Sequence, residues 1–241
     1  SHQLRTQLSA INWYTEMILS GDAGPINEAQ TEYLTEVSNG SKRMVDLVNS
    51  LLNISRLELG TFIIEPSSVD AADLSRNVVA EQEPLILKKH ITVQQAYPEN
   101  LPPFQADTKL FRIILQNLFS NALKYTPKNG KVSLKIGVRK QGAFVDKKMH
   151  ISDSLVVSVS DNGYGIPKHQ QNKIFTKLFR ADNVLERNME GTGLGLYIVK
   201  SIVDSSGGQI WFRSEEDKGT TFYVTFPLTG MTKKEGTKKL S

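Results

Sequence analysis

Gly191-Thr192-Gly193-Leu194-Gly195-Leu196 stands directly before an apolar stretch that reads as a helix from about Thr192 to Ser206. Glycines at alternate positions leave backbone N–H groups unobstructed at a helix start, where they can bind phosphate. The spacing is neither G-x-G-x-x-G nor G-x-x-x-x-G-K-[ST], so neither a dinucleotide fold nor a P-loop follows from it. Just upstream, Ala181 to Glu190 is polar, the composition of a mobile lid over a nucleotide. Before that, Ile174-Phe175-Thr176-Lys177-Leu178-Phe179-Arg180 sets two aromatics four apart, the spacing of helix packing.

Two more clusters lie further upstream. Asp161-Asn162-Gly163-Tyr164-Gly165-Ile166-Pro167 ends an apolar strand, Ser154 to Ser160. A carboxylate there can accept from an exocyclic amine while glycines let the backbone approach a flat ring, although Asn-Gly is equally a plain turn signal. Asn117-Leu118-Phe119-Ser120-Asn121-Ala122-Leu123-Lys124-Tyr125 belongs to a helix from Asp107 to Lys124 and puts Asn117, Asn121, Lys124 and Tyr125 on adjoining turns. Neutral amide oxygens suit Mg²⁺ that also holds phosphate; a pair of asparagines standing alone would be solvated surface.

Around these clusters the pattern predicts further elements: a segment Thr61 to Glu65, a helix Ala71 to Lys88, and strands Ile91 to Ala96, Lys131 to Lys140, Gln209 to Ser214 and Thr220 to Pro227. Mixed strands and helices with a closing hairpin indicate an α/β sandwich. Gln141 to Asp153 reads as a hairpin extension or loop. The tail Met231 to Ser241, with four lysines and one glutamate, is expected to be disordered.

The amino-terminal part has a different period. Leu4, Leu8, Ile11 and Ile18 follow steps of four and three, broken only by Thr15, and predict an amphipathic helix. It starts without a cap, and the expectation is that the natural helix begins upstream of this chain. Gly21-Asp22-Ala23-Gly24-Pro25 is a turn, and Asn27 with Gln30 caps a second helix, Glu28 to about Leu59. The apolar set of that helix, Leu34, Val37, Met44, Val45, Leu47, Val48, Leu51, Leu52 and Ile54, is too wide for one hairpin to bury. Two hairpins in a dimeric four-helix bundle can bury it.

Composition narrows the function classes. The 241 residues, 39% hydrophobic and 22% charged, form an ordinary globular chain with enough length for a sizeable core. The absence of cysteine removes disulfide scaffolds, thiol nucleophiles, iron–sulfur clusters and thiolate zinc sites. No apolar run approaches a transmembrane span. A net charge of +4 without a basic, aromatic-interleaved stripe gives no reason to expect nucleic acid.

In this order the four clusters resemble the ATP-binding domain shared by histidine kinases, chaperone ATPases, mismatch-repair ATPases and type II topoisomerases, whose nucleotide fold has no P-loop. Ser1-His2-Gln3-Leu4-Arg5-Thr6-Gln7-Leu8-Ser9 looks like the phosphoacceptor box of histidine kinases, so the resemblance runs from Ser1 to about Leu228. It implies an α+β architecture: a phosphotransfer hairpin (residues 1–62) forming a dimeric four-helix bundle, then an α/β sandwich ATP domain (63–229) and the tail (230–241). The activity implied is that of a sensor histidine kinase core in a two-component system.

By this resemblance His2 takes the γ-phosphoryl group of ATP and passes it to an aspartate on the receiver domain of a response regulator. Asn121 coordinates Mg²⁺ with Asn117 in support, Lys124 faces phosphate, and Tyr125 lies against adenine. Asp161 reads the adenine amino group, with Gly163, Gly165 and Ile166 shaping the base pocket. Gly191, Thr192, Gly193, Leu194, Gly195 and Leu196 form the lid hinge and phosphate cradle. Phe175 and Phe179 position the lid, and Phe179, Arg180 and Thr221 count among the nucleotide-binding residues. The cofactors implied are ATP and Mg²⁺, the partners a second copy and a response regulator, and the compartment cytoplasmic, with any membrane attachment through segments outside this chain. His90, His150 and His169 read as surface residues.

Two positions depart from the family pattern. Gln3 replaces the usual acidic residue; an amide can orient the imidazole of His2 but cannot accept its proton, which implies slower autophosphorylation. Gln7 replaces a typical proline, which implies a straighter helix. Thr6, one turn after His2, either orients a water for phosphatase action or is a plain surface threonine. The rival readings are a chaperone- or repair-type ATPase, disfavoured by the hairpin and His2, and a non-catalytic ATP-bound switch, motivated by Gln3 and Gln7.

Overall fold

The computed structural model describes residues 2–146, 148–149, 152–187, 189, 191–238 and 240, without the side chains of His2, Arg5 and Met149. The chain divides after Glu58 into two compact units. The division falls four residues before the expected boundary because Phe62 and Ile64 are wholly buried in the second unit.

The first unit is the expected hairpin, α1 (His2–Leu19) and α2 (Glu28–Glu58). Its turn uses positive φ at Gly21 and Gly24. The start of α2 is a reciprocal capping box: Gln30 N–H donates to Asn27 Oδ1 and Asn27 N–H to Gln30 Oε1, both at 2.9 Å. Small and polar residues fill the contact between the helices. Ser41 Oγ donates to the Leu8 carbonyl (3.3 Å), and Thr15, the break in the apolar seam, is buried with its hydroxyl on the Ile11 carbonyl. Leu8 and Ile54 are buried, but other large apolar residues stay outside: Val37, Met44 and Leu51 recur every seven residues and are each 49% exposed.

The second unit runs β1 (Ser67–Val69), α3 (Ala71–Glu81), α4 (Glu83–Lys89), β2 (Thr92–Ala96), β3 (Phe104–Ala106), α5 (Thr108–Tyr125), β4 (Lys131–Arg139), β5 (Phe144–Val145), β6 (Lys148–Met149), β7 (Ser154–Asp161), a 3-10 turn (Lys168–Lys173), α6 (Asp182–Leu185), α7 (Gly195–Ser205), β8 (Gln209–Glu215) and β9 (Gly219–Pro227). The main sheet has the order β2-β4-β7-β9-β8, with only β2 and β4 parallel. Helices α3, α5 and α7 pack together and against β4, β7 and β8. Strand alternation supplies the core between the layers, with Leu134, Leu155, Val157, Val224 and Phe226 at 0–1% exposure. On the reverse face, Val145 of the β5–β6 hairpin, Val156 and Trp211 form a smaller cluster beside Tyr223. The architecture is the expected hairpin followed by an α/β sandwich.

Four expectations are corrected. The helix Ala71 to Lys88 breaks at Gln82 (φ −96°, ψ 4°), because Pro84 lacks the N–H a continuous helix needs and starts a new one instead. Residues 174–180 are turns and not a helix, with Leu178 at φ +59°. The last helix begins at Gly195, three residues later than expected. The tail is not disordered over its described residues. Ile63 N–H and Ile64 N–H donate to the carbonyls of Lys238 (2.9 Å) and Lys234 (3.0 Å), and Met231 and Leu240 are buried. Lys233 and Lys238 are exposed, Lys234 lies with its ammonium over the Phe62 ring (4.1 Å), and the ordering comes from backbone pairing with a segment some 170 residues away in sequence.

Candidate nucleotide-binding site

The site is built on the last turns of α5. Asp107 caps the helix start by accepting from the N–H groups of Lys109 (3.1 Å) and Leu110 (3.2 Å). Leu110, Phe111, Ile114, Leu115, Leu118, Phe119 and Leu123 bury one face, which turns Asn117, Asn121, Lys124 and Tyr125 toward the other. At the far end Lys89 Nζ donates to the carbonyls of Leu123 (2.8 Å), Lys124 (2.9 Å) and Thr126, occupying groups a helix end leaves free. Partial burial lowers the pKa of Lys89.

A cavity opens beside this helix end. Asn121, Ala122 and Tyr125 form one wall; Asp161, Gly165, Ile166 and Thr220 form the second. Phe179, Arg180, Ala181 and Val184 form a third, with Ile174, Leu196 and Phe222 closing the apolar end. Asp161 Oδ1 accepts from the N–H groups of Gly163 (2.9 Å) and Thr220 (3.2 Å), and no donor among the described residues reaches Oδ2. Burial pushes this carboxyl up to about 6, against the pull of those two N–H groups. Burial also raises the Tyr125 phenol, with the Arg180 charge opposing.

The glycines act through close approach. Gly165 (φ +61°) lies on the Glu215 carbonyl, so a Cβ there would overlap it. At Gly195 a Cβ would overlap Asn117 Oδ1, so a larger residue at the start of α7 would have to displace that side chain. Gly163 backs onto the Tyr125 carbonyl, Gly193 onto Leu178, and Gly191 faces Lys124 Nζ. No side chain caps the start of α7. Thr192 Oγ1 accepts from Leu194 N–H (3.3 Å).

Of the expected residues, Asn121, Tyr125, Asp161, Gly165, Ile166, Phe179, Arg180 and Leu196 line the cavity, while Asn117, Lys124, Gly163, Gly191, Thr192, Gly193 and Gly195 stand outside its lining. Thr221 lies on the opposite face of the sheet, where its hydroxyl pairs with Ser160 Oγ (2.8 Å); its neighbour Thr220 lines the cavity. Leu194, at 1% exposure, is a packing residue outside the cavity lining. Phe175 packs edge-on against Phe212 and Phe222 and not on the cavity, whereas Phe179 lines it. In the hairpin, Gln3 and Thr6 lie exposed on α1; the side chain of His2, like His150 and Glu190, lies outside the described residues. Ala181 and Val184 belong to the polar segment read as a lid, which the sequence marks only as a stretch; Thr220 and Phe222 carry no local signal.

Comparison with known proteins follows this geometry. Residues 106–230 match the histidine kinase-, DNA gyrase B- and HSP90-like ATPase family. The chain belongs to this ATPase family. Ahead of the ATPase region, residues 1–60 match the His Kinase A (phospho-acceptor) domain, so the two modules together form a histidine kinase catalytic core. The chain is 32% identical over 227 residues to the sensor histidine kinase WalK of Bacillus subtilis, a match covering 94% of this chain and 35% of WalK. It therefore spans about a third of the length of that curated relative. The crystal structure of full-length ShkA in complex with AMPPNP shares the fold (TM-score 0.71, 24% identity, 98% of this chain and 47% of ShkA). So does histidine kinase ThkA in complex with the response regulator protein TrrA (TM-score 0.63, 22% identity, 93% of this chain and 61% of that one). No described helix is long and apolar enough to cross a membrane.

Proposed function

We propose that the chain autophosphorylates on His2 with Mg-ATP and then passes the phosphoryl group to an aspartate of a response regulator. The observation that carries the reading is the pairing, in one chain, of a phospho-acceptor hairpin with a cavity whose residues suit ATP. In the transfer the bond from the γ-phosphorus to the leaving ADP oxygen breaks, a phosphorus–nitrogen bond forms on the imidazole, and the imidazole proton leaves. Neutral imidazole has the lone pair this requires, and its ordinary pKa near 6.5 keeps it largely neutral above pH 7. Gln3 can orient that ring but cannot take its proton.

Each wall of the cavity has a part in this reading. Asp161 Oδ2 would accept the adenine amino group, with Tyr125, Ile166 and Phe179 against the ring. Lys124 and the uncapped start of α7 would hold the phosphates. Among the described residues no group of three His, Cys, Asp or Glu side chains could hold a metal. Mg²⁺ would be held by the Asn121 amide oxygen and the triphosphate together, a donor set it favours. When bound it supplies neutralisation of phosphate charge.

The half-exposed stripe of Val37, Met44 and Leu51 supports dimerisation through the hairpin, and the ThkA–TrrA complex supports a response regulator as the acceptor. An ATP-using core with such an acceptor would work on the cytoplasmic side. The test is incubation with γ-labelled Mg-ATP beside a His2→Ala variant. Acid-labile, alkali-stable label on the unaltered chain and none on the variant is the expected result. ATP binding without label on either protein would contradict the kinase reading and favour an ATP-gated switch.

A further inference from the structure

The polar segment after Arg180 begins as a wall of the cavity, since Ala181 and Val184 of its first turn line it. Two side chains fasten that turn. Gln170, buried, donates from Nε2 to Asp182 Oδ2 (2.5 Å) and accepts at Oε1 from Asp182 N–H (3.0 Å). Asn183, 6% exposed, donates from Nδ2 to the carbonyls of Tyr164 (3.3 Å) and Gly165 (3.1 Å). Both of its partners can only accept, so they set the orientation of the amide. Tyr164 and Gly165 form the turn between Asp161 and Ile166, so one buried amide joins the wall carrying Ala181 and Val184 to the wall that would face the base.

We propose that Asn183 is a positioning residue for nucleotide binding: it holds α6 against the Tyr164–Gly165 turn, so the first part of the lid is a fixed wall before nucleotide enters. This inference rests on the nucleotide reading above. Asn183 touches neither phosphate nor metal in that reading, so its loss acts on how tightly the ligand is held and not on the transfer step. Without the amide, the cost of ordering the wall falls on the ligand.

The test uses the whole chain with Asn183→Leu, which removes both donors, and Asn183→Asp, which keeps the shape. A third variant, Gln170→Leu, reads the same wall from its other anchor if either of the first two fails to fold. Hydrogen exchange on nucleotide-free protein reads the anchor directly through Val184, Leu185 and Glu186, whose amides bond back to Ala181 and Asp182. These amides are expected to exchange at least about tenfold more slowly than Thr192 in the unaltered protein and to lose that protection in the variants. In autophosphorylation the KM for Mg-ATP is expected to rise about tenfold with kcat within about twofold. Unprotected amides in the unaltered protein, an unchanged KM in folded variants, or a fall in kcat at constant KM would overturn the proposal. Protected amides in an unaltered protein that does not bind Mg-ATP would sink the nucleotide reading itself.

Discussion

In the hairpin many large apolar side chains face outward, with Val37, Met44 and Leu51 half exposed, whereas in the ATPase unit Phe104, Phe111 and Phe226 are fully buried with ring centroids 5.7–6.3 Å apart. Both units use amphipathic helices. The difference lies in what each helix meets within its own unit: α3, α5 and α7 find a sheet, while α1 and α2 pack on each other with Thr15, Ser38 and Ser41 among their buried residues. A fully buried aliphatic or aromatic side chain contributes about 1.5–3 kcal/mol, so the ATPase unit holds its own stability and the hairpin has its largest gain still to make. The units therefore differ in what should break them.

The largest expected effect lies in the ATPase unit and leaves its fold intact. Asn121→Ala removes the amide proposed to hold Mg²⁺, and the rate of label incorporation should fall on the order of 100-fold while the melting curve stays in place. Next comes the tail. Ending the chain at Gly230 uncovers Phe62 and Ile64 and removes their backbone partners, so this unit should lose about 3–5 kcal/mol and melt roughly 10 °C lower. A truncated chain that melts unchanged would show that the tail is no part of the core.

A smaller effect follows from Asp161, whose carboxyl is pushed up to about 6 by burial. Its carboxylate form is needed to accept the adenine amino group, so ATP affinity measured by titration should be constant above about pH 7 and fall as pH drops through 6. Stability moves the opposite way. A carboxyl with a raised pKa binds more protons folded than unfolded, so its contribution declines as pH rises from about 4 to 6 and is flat above that. Asp161→Asn should then stabilise the nucleotide-free protein at pH 7.5 by about 1–3 kcal/mol while weakening ATP binding. The smallest effect is expected at Lys89. Lys89→Met leaves three carbonyls at the end of α5 without their donor, and a few-fold rise in KM with about 1–2 kcal/mol of lost stability is expected.

The two units were also unequally legible in the sequence. In the hairpin, periodicity and the Asn27/Gln30 pair placed both helices almost to the residue, because those signals are local. In the ATPase unit the glycine and asparagine clusters located the cavity, since Gly165, at positive φ against the Glu215 carbonyl, leaves no room for a side chain. Thr221 was misplaced because alternation along a strand does not say which face is which until the register is known, and one step exchanges the faces. Pro84 is a local helix-breaking signal, but the apolar pattern runs on through it and reads as one helix. The tail and Asn183 were illegible because their partners, Phe62 and Ile64 in one case and Tyr164 and Gly165 in the other, are brought to them only by the fold.

The most direct test of this contrast is the mass of the intact chain in solution by sedimentation, compared with a Val37→Glu/Leu51→Glu variant. A dimer that the two charges convert to a monomer, with ATP binding unchanged in both, is the predicted result. An unaltered chain that sediments as a monomer at tens of micromolar, or a variant that loses ATP binding along with dimerisation, would contradict the claim that the hairpin needs a second copy and the ATPase unit does not.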